Sequence, residues 1–176
     1  MSGYVVALIG LPGSGKSTVA RSLLQRFDLH EVNRDVIRAA MFPRCTFSTS
    51  EKAAAEDAVM SAVETNCRAG KNSIVDGMTF SGSASLDRLK RVSESCGYRV
   101  VPIWLDCPVL VACRRVSDNR SHTAADRDAN LVTEVAERFD PPPADAIRLD
   151  ATEPISLVCA ASARALQSST AASPVN

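Results

Sequence analysis

A continuous apolar run, Tyr4 to Ile9, passes directly into Gly10-Leu11-Pro12-Gly13-Ser14-Gly15-Lys16-Ser17, with Thr18 following. No other feature of the chain narrows its folds so far. The eight residues satisfy G-x-x-x-x-G-K-[ST] in the order strand, glycine loop, helix that a phosphate-binding loop requires. The glycines let backbone N–H groups turn inward around phosphate oxygens, and the helix that follows adds the positive end of its dipole. Lys16 is long enough to reach the β- and γ-phosphates, and Ser17 can place its hydroxyl on Mg²⁺. Gly10 to Thr18 are therefore the candidate ATP contacts. A strand apolar on both faces belongs inside a parallel sheet, so the motif also carries a fold expectation.

The rest of the chain keeps that expectation. Lys16 to Phe27 reads as a helix with Val19, Leu23, Leu24 and Phe27 on one side. A short strand over Leu29 to Val32 leads to Asn33, an N-cap for a helix over Asp35 to Met41. Further helices are predicted over Glu51–Ala69, Ala84–Cys96, Pro108–Arg120, Asp128–Phe139 and Ile155–Leu166, with strands at Ser73–Asp76, Tyr98–Leu105 and Ala146–Leu149, the last an edge strand. Five strands alternating with helices imply an α/β fold, a five-stranded parallel sheet covered on both faces. One domain over residues 1–167 is expected, with a short lid near 114–127 and a disordered tail over 168–176.

Composition excludes several classes. The 176 residues carry 20 Lys plus Arg against 20 Asp plus Glu, and 45% are hydrophobic. That balance fits a globular domain and argues against nucleic-acid binding by bulk charge. No apolar stretch reaches membrane-spanning length, so neither a leader nor a membrane partner is expected. Six cysteines without C-x-x-C pairs, and two isolated histidines, give no zinc pattern. The thiols suit a reducing cytoplasm.

The second candidate site follows the second strand, at Val32-Asn33-Arg34-Asp35-Val36-Ile37-Arg38. The carboxyl end of a parallel strand lies on the ligand-binding edge. Asp35 and Arg38, three apart, share a helix face. A carboxylate there can accept a proton from an attacking hydroxyl while the arginine holds substrate or phosphate. Asp76, ending the third strand, is a candidate to hold magnesium through water or to contact the acceptor.

GLPGSGKST followed by VNRDVIR resembles the polynucleotide-kinase-like branch of P-loop kinases, as do IVDG at Asp76 and WLDCP at Asp106 to Pro108. That branch includes phage-type 5′-hydroxyl polynucleotide kinases and chloramphenicol-phosphotransferase-like enzymes. The resemblance implies a P-loop kinase fold with ATP and Mg²⁺ as cofactors. It implies Asp35 as general base, Lys16 as catalytic cation, Ser17 at the metal and Arg38 at the acceptor or phosphate; Arg34, Asp76 and Thr79 are further candidates at the acceptor, Asp76 also at the metal. Of the lid arginines, it implies Arg115 as the one stabilising the transferred phosphoryl, with Arg120 second. One departure stands out: the family often reads D-x-T-N where this chain reads Asp76-Gly77-Met78-Thr79. The loop from Thr79 to Ser83 is therefore a candidate wall for a different substrate.

Several readings compete. No N-K-x-D run supports a GTPase, and Asp76 is followed by glycine where a motor ATPase has a catalytic glutamate. A nucleoside-monophosphate kinase and a non-catalytic ATP-binding module stay open. The acceptor is expected to be a small hydroxylated molecule, with a nucleic-acid 5′ end as the alternative; Arg44, Phe42 and Phe47 could serve such an end. Lys16, Arg34, Arg38, Arg114, Arg115 and Arg120 are expected on one phosphate-handling edge. Glu51, Glu56, Asp57, Glu134 and Glu137 are expected away from it.

Overall fold

The computed structural model describes residues 3–118 and 129–171. Its elements run β1 (Tyr4–Ile9), α1 (Lys16–Leu24), β2 (His30–Asn33), α2 (Arg34–Met41), α3 (Thr49–Arg68), β3 (Ser73–Asp76), α4 (Ser83–Ser95), β4 (Arg99–Asp106), α5 (Val109–Asp118), α6 (Ala129–Glu137), β5 (Ile147–Asp150) and α7 (Ile155–Ala171). The strands form one all-parallel sheet in the order β2-β3-β1-β4-β5. β1 sits at its centre, which its unbroken apolar sequence demands, and β5 is an edge strand as predicted.

The period of two along β1 divides the core. Val6 and Leu8 face a cluster with Val19, Leu23, Ala112, Val158 and Leu166. Val5, Ala7 and Ile9 face the opposite cluster, with Val59, Val63, Leu86 and Leu89. Both faces are thus covered by helices, the arrangement parallel sheets need. Phe139 packs against both clusters.

Several boundaries shift from the sequence reading, α1 ending at Leu24 and not Phe27 among them, and two shifts have a clear local reason. α3 begins earlier than Glu51, because the Ser48 hydroxyl and the Glu51 carboxylate make a reciprocal capping box. α7 continues through Ala171, so Ser168 to Ala171 are helical and not a disordered tail. Arg99 at the start of β4 secures that last turn, donating to the Ser169 carbonyl at 2.7 Å and to its hydroxyl at 3.1 Å. The lid expected near 114–127 begins inside α5 and otherwise lies outside the described residues. Among the described residues no helix is long and apolar enough to cross a membrane, and no cluster of three metal-ligating side chains occurs.

Candidate active site

Two cavities open at the carboxyl edge of the sheet, and Lys16 lines both. The larger, about 690 Å³, is walled by Gly13, Gly15, Ser17, Thr18, Arg21 and Arg115, and by Thr152 to Ile155 from the β5–α7 loop. The smaller, about 240 Å³, contains Pro12, Arg34, Asp35, Arg38 and the loop from Gly77 to Gly82. The first gathers the hydroxyls and glycines of the phosphate loop. The second contains the Asp35 carboxylate.

The phosphate loop is shaped by contacts only glycine allows. Gly13 has φ +83°, and a Cβ there would stand 2.6 Å from the Ala112 carbonyl of α5. Lys16 is buried, and its Nζ donates to the Gly10 and Leu11 carbonyls at 2.8 Å each. The Gly10 N–H donates to the Thr79 carbonyl at 3.1 Å, joining this loop to the wall of the smaller cavity.

Asp35 is positioned by Asn33. That side chain accepts hydrogen bonds from the Asp35 and Val36 amides at 3.0 and 3.3 Å, satisfying donors the first turn of α2 leaves unpaired. Its amide nitrogen donates to Asp76 at 3.4 Å, across a register that places Asn33 beside Asp76. Arg38 approaches the Asp35 carboxylate to 3.2 Å and Arg34 to 3.9 Å. Asp35 and Arg38 are both buried, at 8% and 5% exposure. The Phe47 ring stacks 4.6 Å from the Arg38 guanidinium. Phe47 is held with φ 56° in a loop whose Thr46 and Ser48 amides both donate to Glu51. Phe47 thus packs on the Arg38 side chain.

Asp76 lines neither cavity. It is 2% exposed, and its Oδ1 has no hydrogen-bond partner among the described residues. Magnesium prefers oxygen ligands and retains several waters, so the Ser17 hydroxyl and the Asp76 carboxylate, one oxygen of which lacks a partner among the described residues, are of the kind it takes. Arg115 reaches the donor cavity from the last turn of α5, its Nη1 donating to the Ala151 carbonyl at 2.8 Å. Burial raises the Cys107 thiol pKa beside it, partly opposed by the Arg115 charge.

Most of the residues singled out from sequence thus come together: Arg34, Asp35, Arg38 and Thr79 at one cavity, Ser17, Thr18 and Arg115 at the other. Arg120 lies outside the described residues. Two expectations fail. Arg114 is 87% exposed and lines neither cavity, reaching instead toward Asp118 on the rim of the larger one. Glu56, expected on a remote solvated face, lines the smaller cavity with Lys52, because the first turns of α3 pass over it. Arg138, just past α6, and Ser85 of α4 also line it and have no motif to mark them.

Residues 5–142 match a family model described as an AAA domain. A shikimate kinase of Corynebacterium glutamicum is 30% identical over 123 residues, an alignment covering 66% of each chain, so this chain spans just under two thirds of that relative. A sugar kinase from Janibacter sp. HTCC2649 superposes with a TM-score of 0.74 at 19% identity, over 99% of this chain and 100% of that one. A chain of the Pnkp1/Rnl/Hen1 RNA repair complex gives 0.66 at 22% identity, over 80% of this chain and 48% of that one. At such identities the structural likeness establishes a P-loop kinase fold and nothing finer. With most of its length matched by the family model, phosphate loop included, the chain belongs to the AAA domain family of P-loop proteins.

Proposed function

We propose that this protein is an ATP- and Mg²⁺-dependent phosphotransferase that moves the γ-phosphate onto a hydroxyl of a small acceptor. The observation that carries this reading is the shared wall: Lys16 stands between a cavity lined by Ser17 and Thr18 and one containing a buried carboxylate. A module that only binds nucleotide has no use for the second cavity. The kinase names of a curated relative and of a structural neighbour support the same class. The small cavity volume favours a compact acceptor over a polynucleotide end, and Phe47, a candidate stacking ring, is already covered by Arg38.

In this reading the acceptor hydroxyl gives its proton to Asp35 while its oxygen attacks the γ-phosphorus. The bond from that phosphorus to the β,γ-bridging oxygen breaks, and ADP leaves with the electron pair. Arg38 and Arg34 fix the Asp35 carboxylate and orient the acceptor, and Lys16 lies where charge develops on the transferred group. Arg115 contributes from the donor side. Ser17, and Asp76 through water, would hold magnesium, whose charge would offset the negative charge of the phosphates.

The test is γ-labelled ATP with a panel of sugars, hydroxy acids, nucleosides, aminoglycosides and 5′-hydroxyl oligonucleotides. Asp35→Asn is expected to keep ATP binding and to lose transfer by about a hundredfold or more, the usual loss of a general base. Wild-type transfer by that variant would sink the mechanism. Labelling of oligonucleotides alone would move the assignment to a polynucleotide 5′-hydroxyl kinase, the resemblance read from sequence.

A further inference from the structure

Among the described residues the acceptor cavity is lined by five cations, Lys16, Arg34, Arg38, Lys52 and Arg138, against two carboxylates, Asp35 and Glu56. Three of the cations are engaged within the protein. Lys16 donates to the Gly10 and Leu11 carbonyls, and Arg34 and Arg38 lie against Asp35. The other two are not. Neither Lys52 nor Arg138 makes an ion pair with any described residue, although Glu56 stands one turn beyond Lys52 on α3.

Lys52 and Arg138 come from elements distant in sequence, yet they converge on one cavity of about 240 Å³. Charges of one sign gathered around a concave, low-dielectric wall focus the field inside it and raise the local concentration of counter-ions. The nearby amino end of α4 does not serve that purpose, since Asp140 already accepts from the Ser83 amide there at 2.7 Å. Nor are these cations placed for the donor triphosphate, whose cavity they do not line. Between the charged groups, Met78, Phe80, Leu131 and Val135 offer an apolar strip for a short carbon skeleton.

We infer that the acceptor is a hydroxylated anion, a small molecule whose carboxylate or phosphate is held by Lys52 and Arg138 while its reacting hydroxyl lies at Asp35. This rests on the transfer reading above and narrows its substrate class. Lys52 and Arg138 are specificity-determining residues in it; Asp35 remains the base.

The test reads binding without turnover. Calorimetry in the presence of ADP compares three probes on each of two skeletons: glycerol, glycerate and glycerol 3-phosphate; glucose, gluconate and glucose 6-phosphate. At least one anion is expected to bind about tenfold or more tightly than its neutral partner, with a preference that falls as salt rises. The carboxylate and phosphate arms decide which group is held. Lys52→Gln combined with Arg138→Gln is expected to abolish the preference and leave ADP affinity unchanged, with thermal melting as the check on folding. Equal binding of neutral and anionic partners, a preference that survives in the double variant, or binding of none of the four anions would overturn the inference. Selective anion binding without any labelled product would instead overturn the transfer reading alone. Transfer to neutral sugars at the same efficiency would do the reverse.

Discussion

Gly77 shows how closely single residues are fitted at the acceptor edge. Its φ is +76°, and a Cβ there would lie 3.0 Å from both the Asn33 side-chain oxygen and the Asp35 amide. Those are the two atoms of the bond that places Asp35, the proposed general base. Gly77→Ala is therefore expected to cost about 1–2 kcal/mol in urea unfolding, from the left-handed backbone alone. It should also raise the acceptor KM while ATP affinity holds. Equal losses at both ligands would mean that the damage had spread to the phosphate loop. The motif residues were readable at this scale because each chemistry needs a particular side chain at a particular spacing. Glu56 and Lys52 were not, since a polar face on an amphipathic helix looks the same whether it meets water or a ligand. Arg138 lies inside the helix read over Asp128–Phe139, yet α6 ends at Glu137 and leaves it in a turn, so the periodicity does not orient it.

Among elements, the helix ends carry most of the information. Asn33 and the Ser48–Glu51 box are local, and their pattern is present in the sequence. The cap of α4 is not: Asp140 arrives from 57 residues away to accept from the Ser83 amide. Hydrogen bonds from the Ser83 amide, then its hydroxyl, hold the Asp140 carboxyl below its ordinary 3.8. A carboxyl whose pKa is lower folded than unfolded stabilises the fold above its unfolded value and loses that contribution as pH falls through the folded one. Asp140→Ala is thus expected to be less stable than wild type at neutral pH. The gap should close below about pH 4, followed by denaturant titration at a series of pH values; a gap constant with pH would remove the charge from the explanation. α7 makes the complementary point, because its last turn is secured by Arg99, a tertiary contact no helical pattern announces.

Across the whole molecule, the alternation of apolar runs and helical spacings gives the α/β class and the parallel sheet. It does not give the order β2-β3-β1-β4-β5, which depends on how crossovers pack. That order sets β3 between β1 and β2, and so brings Asp76, Asn33 and the phosphate loop to one edge. The formal neutrality of the chain resolves the same way, with cations gathered around the acceptor cavity and exposed acids such as Asp57 paired elsewhere.

The position of Lys16 has a thermodynamic consequence. Its ammonium donates to two carbonyls of its own loop. Whichever ligand arrives first must draw it away from them, and the second finds that work done. Donor and acceptor are then expected to be cooperative, each binding more tightly in the presence of the other, and linkage requires the factor to be the same in both directions. Measuring acceptor affinity with and without a non-hydrolysable nucleotide should show about a fivefold gain or more, the lower end of ordinary site-to-site coupling. Independent binding would mean that Lys16 stays on its carbonyls until the chemical step. Cooperative binding would mean that the protein commits its lysine only when both partners of the reaction are in place, which protects ATP from transfer to water.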